Sequence, residues 1–152
     1  DGTFKPDNEL TRAEFVKMTV LAFGMYDGNA EVNFSDCAND DWYYPFVASA
    51  VRNGAVNGIS ESLFAPNEKI TRQDMAVIIY RIINGRITVE SDYDGINLND
   101  FGKVTNYAKE SVSEIFKAGI ISGDENGNFA PMNFATRAEA AKVISVILSL
   151  NN

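Results

Sequence analysis

The chain has no histidine, one cysteine and a shortage of cations: 13 Lys and Arg stand against 21 Asp and Glu, for a formal net charge of −8. Each shortage excludes something. Without histidine there is no ordinary neutral-pH acid–base group and no His-based zinc spacing, and Cys37 has no base partner, so catalytic nucleophile chemistry has no footing. A lone cysteine also forbids an internal disulfide and reads as a buried, idle thiol. The acidic balance and the lack of a basic patch argue against nucleic acid, whose binding draws on Lys and Arg neutralising phosphates. No apolar run reaches membrane-spanning length, so membrane insertion is not expected, and low-complexity tracts are absent. No signal-peptide pattern is present; the abrupt opening "DGTF" reads as a mature or trimmed start. At 152 residues the chain can bury a core without staples.

What the chain has is repetition. "LTRAE" at Leu10–Glu14 returns as "ITRQD" at Ile70–Asp74 and "ATRAE" at Ala135–Glu139. Seven residues before each Thr stands a Phe, and two after that Phe a Pro, giving F-x-P-x4-T-R at Phe4, Phe64 and Phe129. Upstream, "GAVNGISESLFAP" from Gly54 aligns without a gap on "GIISGDENGNFAP" from Gly119, and "FSD" with Trp42 answers "LND" with Tyr107. Two repeats are complete and the first is a back half, which divides the chain into residues 1–30, 31–92 and 93–152.

Each complete repeat reads as helix, loop, helix. Asp41 is placed to cap a helix through "WYYPFVASAVRN" with Trp42, Phe46, Val47, Ala50 and Val51 inward, stopped at Gly54; the counterpart puts Tyr107, Val112, Ile115 and Phe116 inward and stops at Gly119. Phe64 and Phe129 are expected to pin the loops to the core. The second helices, "FVKMTVLAF", "MAVIIYRII" and "AAKVISVIL", are apolar nearly all round and suit a central bundle with the first helices outside it. On this pairing the helix from Phe15 lacks a partner, so Phe15, Val16 and Val20 or their neighbours should leave apolar surface uncovered. Either the chain is a trimmed piece of a longer one or another copy fills the gap by exchanging an equivalent helix.

Thr and the acid of each motif form a capping box, with Asp74 a shorter reciprocal partner than Glu14 or Glu139. The Arg is the puzzle. Arg12, Arg72 and Arg137 fall at the first helical position, where the helix field disfavours a cation, so three of them suggest a compensating anion. That anion is either a carboxylate of the protein, such as Asp36 or Asp100, or one on a ligand. "DENGN" at Asp124–Asn128 starts like a calcium loop, but Phe129 and Ala135 stand where an EF-hand needs Gly and Glu, so it reads as a polar turn.

The F-x-P-x4-T-R-A-E unit, preceded by an aspartate, a Trp and a G-x-x-x-G turn, resembles the S-layer homology repeat over essentially the whole chain. The resemblance implies an all-α fold of tandem helix-loop-helix repeats around a pseudo-threefold central three-helix bundle, a three-pronged spindle. It implies a secreted, non-catalytic module at the cell wall or S-layer, needing no cofactor and no metal. The expected partner is secondary cell wall polysaccharide, often with a pyruvate ketal, held in grooves between repeats. By this carry-over Arg12, Arg72 and Arg137 bind the carboxylate beside exposed helical N–H groups. Asp36 and Asp100 take sugar hydroxyls, Trp42 and Tyr107 cover sugar rings, and Gly58 and Gly123 let sugar approach the backbone. Tyr107 in place of the usual Trp, Ser62 in place of the Gly found at Gly2 and Gly127, and the half repeat are departures from the family pattern. The alternative is a structural module that self-associates in a surface lattice.

Overall fold

The computed structural model describes residues 3–84 and 96–150, so Gly2 and the expected boundary between residues 92 and 93 lie outside the described residues. Among the described residues there are five α-helices, α1 Arg12–Ala22, α2 Tyr44–Arg52, α3 Arg72–Ile83, α4 Lys109–Lys117 and α5 Arg137–Leu150, with 3-10 turns at Phe101–Lys103 and Asn106–Ala108. Among the described residues extended pairing amounts to isolated antiparallel bridges, Thr11 with Lys69 and Thr71 with Phe134. The fold is all-α, as the periodicity indicates. The chain forms two compact units, one of Glu9–Ile70 and one of Thr71–Asn152 together with Asp1–Asn8.

The helix ends follow their local chemistry. Thr11 accepts from the Glu14 N–H at 3.2 Å while its own N–H reaches Glu14 Oε2 at 2.8 Å. Thr136 and Glu139 repeat both bonds, at 3.3 and 2.8 Å. In α3 Thr71 accepts from Asp74 N–H, but the shorter Asp74 makes no return bond, and its Oδ1 instead accepts from the Tyr107 hydroxyl at 2.6 Å. At the other ends Gly54 and Gly119 both take φ of 70°. The next N–H then turns back five residues, Ala55 to Ala50 O at 2.9 Å and Ile120 to Ile115 O at 3.0 Å. That left-handed stop needs glycine because it lacks a Cβ.

In the first unit α1 packs against α2, and in the second α3 packs against α4. Each first helix therefore covers the second helix of the repeat before it in sequence, not of its own. This corrects the expectation that α1 is orphaned: Phe15, Val16 and Val20 are 0 % exposed. Burying side chains of this size is worth roughly 1.5–3 kcal/mol each. The uncovered apolar residue on α1 is Leu21, 57 % exposed. Phe64 and Phe129 are completely buried, as expected of loop anchors.

Two first-helix expectations fail. The Asp41 carboxylate closes a turn by accepting from Ala38 N–H at 2.7 Å, so α2 begins only at Tyr44, beside Pro45. Trp42 and Tyr107 consequently lie before their helices and are 51 % and 61 % exposed instead of facing the core.

Candidate functional site

The three motif arginines do occupy the first positions of α1, α3 and α5, but the N–H groups beside them are not exposed. In α1 the N–H groups of Arg12 and Ala13 donate to Glu68 O and Pro66 O at 2.8 and 3.0 Å. In α3 those of Arg72 and Gln73 donate to Asn133 O and Pro131 O at 2.8 and 3.0 Å, and in α5 those of Arg137 and Ala138 to Asn8 O and Pro6 O at 2.9 and 3.0 Å. The third N–H of each helix goes to the capping Thr. At the helix ends, then, these N–H groups are already taken by carbonyl oxygens from the loop of another repeat.

The same loops answer why an arginine stands there. Nε of Arg12 donates to Phe64 O at 3.1 Å, that of Arg72 to Phe129 O at 2.7 Å and that of Arg137 to Phe4 O at 2.7 Å. Each guanidinium also lies over the ring of that Phe, at 5.0, 5.1 and 5.3 Å from its centre. In sequence terms, the arginines of the first, second and third motifs bind the loops of the second, third and first. Carbonyl dipoles and a π face offset the unfavourable helix field that the sequence poses as a puzzle.

Asp36 and Asp100 are not the partners of these arginines. Asp36 accepts from Phe64 N–H at 2.9 Å and Ala65 N–H at 2.7 Å, and Asp100 from Phe129 N–H and Ala130 N–H at 2.7 Å each. These bonds hold a loop in which Ala65 and Ala130 adopt left-handed φ of 60° and 54°, as does Lys5 at 47°. The protein carboxylate facing Arg72 is that of Glu139, from the capping box of α5.

Around Arg72 the second unit contains a cavity of about 490 Å³. Its walls are the first turn of α3, the segment between α4 and α5, and one face of α5. Met75, Ile120, Ile121, Phe134 and Val143 give it apolar surface; Ser122, Asn128, Asn133 and Thr136 give it hydrogen-bonding groups; Arg72, Asp124, Glu139 and Lys142 are its ionisable side chains. Apolar wall beside convergent polar groups suits a sugar, which offers both a C–H face and hydroxyls, and the volume lies within the range of small-molecule sites.

Of the expected site residues, Arg72 and Gly123 line this cavity, and Asp100 holds the Phe129–Ala130 segment of its wall. Tyr107 is not part of the lining; its hydroxyl bonds Gln73 Nε2 at 2.9 Å and Asp74, which ties it to the first turn of α3. Arg137 lies over Phe4 in the same unit. In the other unit Arg12 is only 9 % exposed, and Trp42 meets Lys17 Nζ at 5.4 Å from its ring centre. The glycines do not leave room for a ligand at their Cβ side. A Cβ on Gly58 would come within 2.3 Å of Ser60 O, so its tight turn requires glycine, and one on Gly123 would come within 3.1 Å of Leu98 Cδ2, a close but less severe approach. Lys142 escaped the sequence reading; its signal was its place three residues after Glu139, on the same face of α5.

Two acidic features are spent on structure. Asp124 Oδ1 accepts from Asn126 and Asn128 N–H at 2.9 Å each, which makes "DENGN" a polar turn. Burial, and then the charges of Asp36 and Asp41, push the Cys37 thiol up to about 11.

The profile of the S-layer homology domain matches residues 1–16, 33–76 and 97–141, well over half of the chain. The chain is 33 % identical to the exoglucanase XynX of Acetivibrio thermocellus over 100 % of its own length and 14 % of that protein. It is 32 % identical to the surface-layer 125 kDa protein of Lysinibacillus sphaericus, over 95 % of the chain and 12 % of that protein. A cellulosome-anchoring protein of Acetivibrio thermocellus is 25 % identical over 95 % of the chain and 33 % of its own length. The chain belongs to the S-layer homology domain family. It spans no more than a third of these three relatives, and in the enzyme among them it corresponds to an attached, non-catalytic region. The relatives thus include surface-layer and anchoring proteins as well as an enzyme, and the family they share with this chain is one of cell-surface anchoring modules. No helix among the described residues is long and apolar enough to cross a membrane.

Proposed function

We propose that this domain anchors its protein by holding an acidic unit of cell wall polysaccharide, such as a sugar bearing a pyruvate ketal, in the cavity beside Arg72. The observation that carries the reading is the cavity itself, about 490 Å³ with apolar wall, hydroxyl and amide groups, and two cations, Arg72 and Lys142. Arg72 has spent Nε on Phe129 O and Nη1 on Glu139, so Nη2 and the second Nη1 hydrogen are the donors it has left for a ligand. Asp100 acts from behind by fixing the Phe129 peptide, and Gly123 shapes the turn that forms one wall. Arg12 is too buried for the same task and serves as a staple, as Arg137 does over Phe4; Trp42, exposed beside Lys17, is the ring that would cover a sugar in its own unit.

The test is titration of the chain with purified wall polysaccharide before and after removal of its pyruvate. Tight binding by a monomer, weakened by the removal, supports the reading. Self-association without glycan, seen by sedimentation, with no binding to either polymer, favours a lattice module and sinks the glycan reading.

A further inference from the structure

Four ionisable side chains line the cavity, and three are already engaged. Arg72 pairs with Glu139, whose other oxygen accepts from Thr136 N–H at 2.8 Å. Asp124 directs Oδ1 to two backbone N–H groups of its own turn. Lys142 is exposed, and among the described residues no hydrogen bond or ion pair engages it.

We propose that Lys142 reads the acidic substituent of the bound glycan unit, while Arg72, fixed by Phe129 and Glu139, supplies geometry. The assignment rests on the reading of the cavity as a glycan site. Its argument is one of available donors. A guanidinium binds a carboxylate best through two parallel N–H bonds, and Arg72 has given an N–H from two of its three nitrogens to the protein. The charge of Arg72 is balanced by Glu139, so an incoming anion gains little from it beyond the remaining Nη donors. Lysine is a point charge on a flexible stem, with no preferred fork. Lys142 can therefore meet a carboxylate at several positions along the α5 wall without disturbing the capping box three residues before it. This arrangement separates acid recognition from fold: removing Lys142 breaks no contact on which a helix end depends.

The experiment uses the whole chain and two probes, purified wall polysaccharide with its pyruvate ketals and the same polymer stripped of them by mild acid. Lys142→Met is expected to lower the preference for the ketal-bearing polymer about ten-fold, the effect of one charge-assisted contact. The melting temperature should not move, and binding to the stripped polymer should fall far less than binding to the ketal-bearing one. Glu139→Gln is expected to shift the preference the opposite way, because Gln still serves a capping box while Arg72 gains an unbalanced charge. A wild-type preference that Lys142→Met retains in full overturns this assignment alone. Equal loss of binding to both polymers overturns it too, since Lys142 would then be a general contact. If the wild-type chain binds neither polymer, the glycan reading falls and the assignment with it; if it binds both equally, the assignment alone falls.

Discussion

Arg137 donates Nε to the carbonyl oxygen of Phe4 at 2.7 Å across 133 residues of sequence, with its guanidinium carbon 5.3 Å from the centre of the Phe4 ring. Lysine can keep the charge but not the Nε direction or the flat stacking surface. Arg137→Lys should therefore destabilise the fold by roughly 0.5–2 kcal/mol, the combined scale of a hydrogen bond and a cation–π contact at a partly exposed site. Urea unfolding checks this; an unchanged midpoint would mean that the contact is decorative.

Asp100 is 8 % exposed and accepts two backbone N–H groups at 2.7 Å each. Asn has nearly the same shape but replaces one acceptor oxygen with a donor, which must face an N–H. Asp100→Asn should cost about 1.5–3 kcal/mol, the range for hydrogen bonds to a charged group whose partner is left buried. The same change at half-buried Asp36 should cost less. Equal midpoints for wild type and Asp100→Asn in denaturant titration would show that the carboxylate does not hold the loop.

The elements legible in the sequence were those written in local chemistry. Capping boxes at Thr11 and Thr136, glycine stops at Gly54 and Gly119, and loop anchors at Phe64 and Phe129 each need only neighbours within a few residues or a strong apolar side chain. What stayed hidden depends on where distant backbone goes. Nothing in "TRAE" says that Pro66, Pro131 or Pro6 will place carbonyls over the helix starts, so the N–H groups looked available to an anion. The pairing of α1 with α2 was missed for the same reason: periodicity shows that a helix has an apolar face, not which helix covers it. Trp42 and Tyr107 misled because helical spacing was extended past the turns that Asp41 and Asn106–Ala108 form. Arg72 and Gly123, which line the cavity, stand out through the repeat; Lys142 does not, because Val77 stands at its place in the second motif although Lys17 stands there in the first.

Ala130 holds φ at 54°, a conformation that costs a residue with a Cβ on the order of 1 kcal/mol. Glycine relieves that strain but gains entropy in the unfolded chain, by about 0.4–1 kcal/mol. Ala130→Gly should thus leave stability within about 0.5 kcal/mol of wild type. Ala130→Val should lose more than about 1 kcal/mol, since a β-branched residue is a true outlier there. The pair of unfolding midpoints decides: a tolerated Val would contradict a left-handed residue at this point of the loop.

Cys37 is 4 % exposed, and its thiol is raised from 9.0 to about 11, chiefly by burial and then by the charges of Asp36 and Asp41. At pH 8 the folded protein should hold about a hundredth of the thiolate of an ordinary cysteine, so a thiol reagent should react slowly until denaturant is added. The sign for stability follows from the raised value. The neutral thiol is favoured by folding, so its contribution is complete below pH 9.0 and is lost as pH rises toward about 11. Fast labelling of the native chain at pH 8 would show that Cys37 is open to solvent.

With a formal net charge of −8 the chain repels an anionic polymer at long range. If attachment occurs in the cavity beside Arg72, it must come from contacts over a few ångströms: hydroxyls on Ser122, Asn128 and Asn133, a sugar face on Ile120 or Phe134, and one acid on a cation. Such contacts are partly desolvated and lie well inside the screening length of about 8–10 Å at physiological salt. Raising ionic strength should weaken the single charged contact and also shield the repulsion, two effects of opposite sign. Affinity for ketal-bearing polysaccharide should therefore change by only a few-fold between roughly 0.05 and 0.5 M salt, where a polycation on DNA would lose several decades. Titration calorimetry across that range is the check. A steep linear fall of log affinity with log salt would mean that a field of many cations, and not one shaped cavity, holds the polymer.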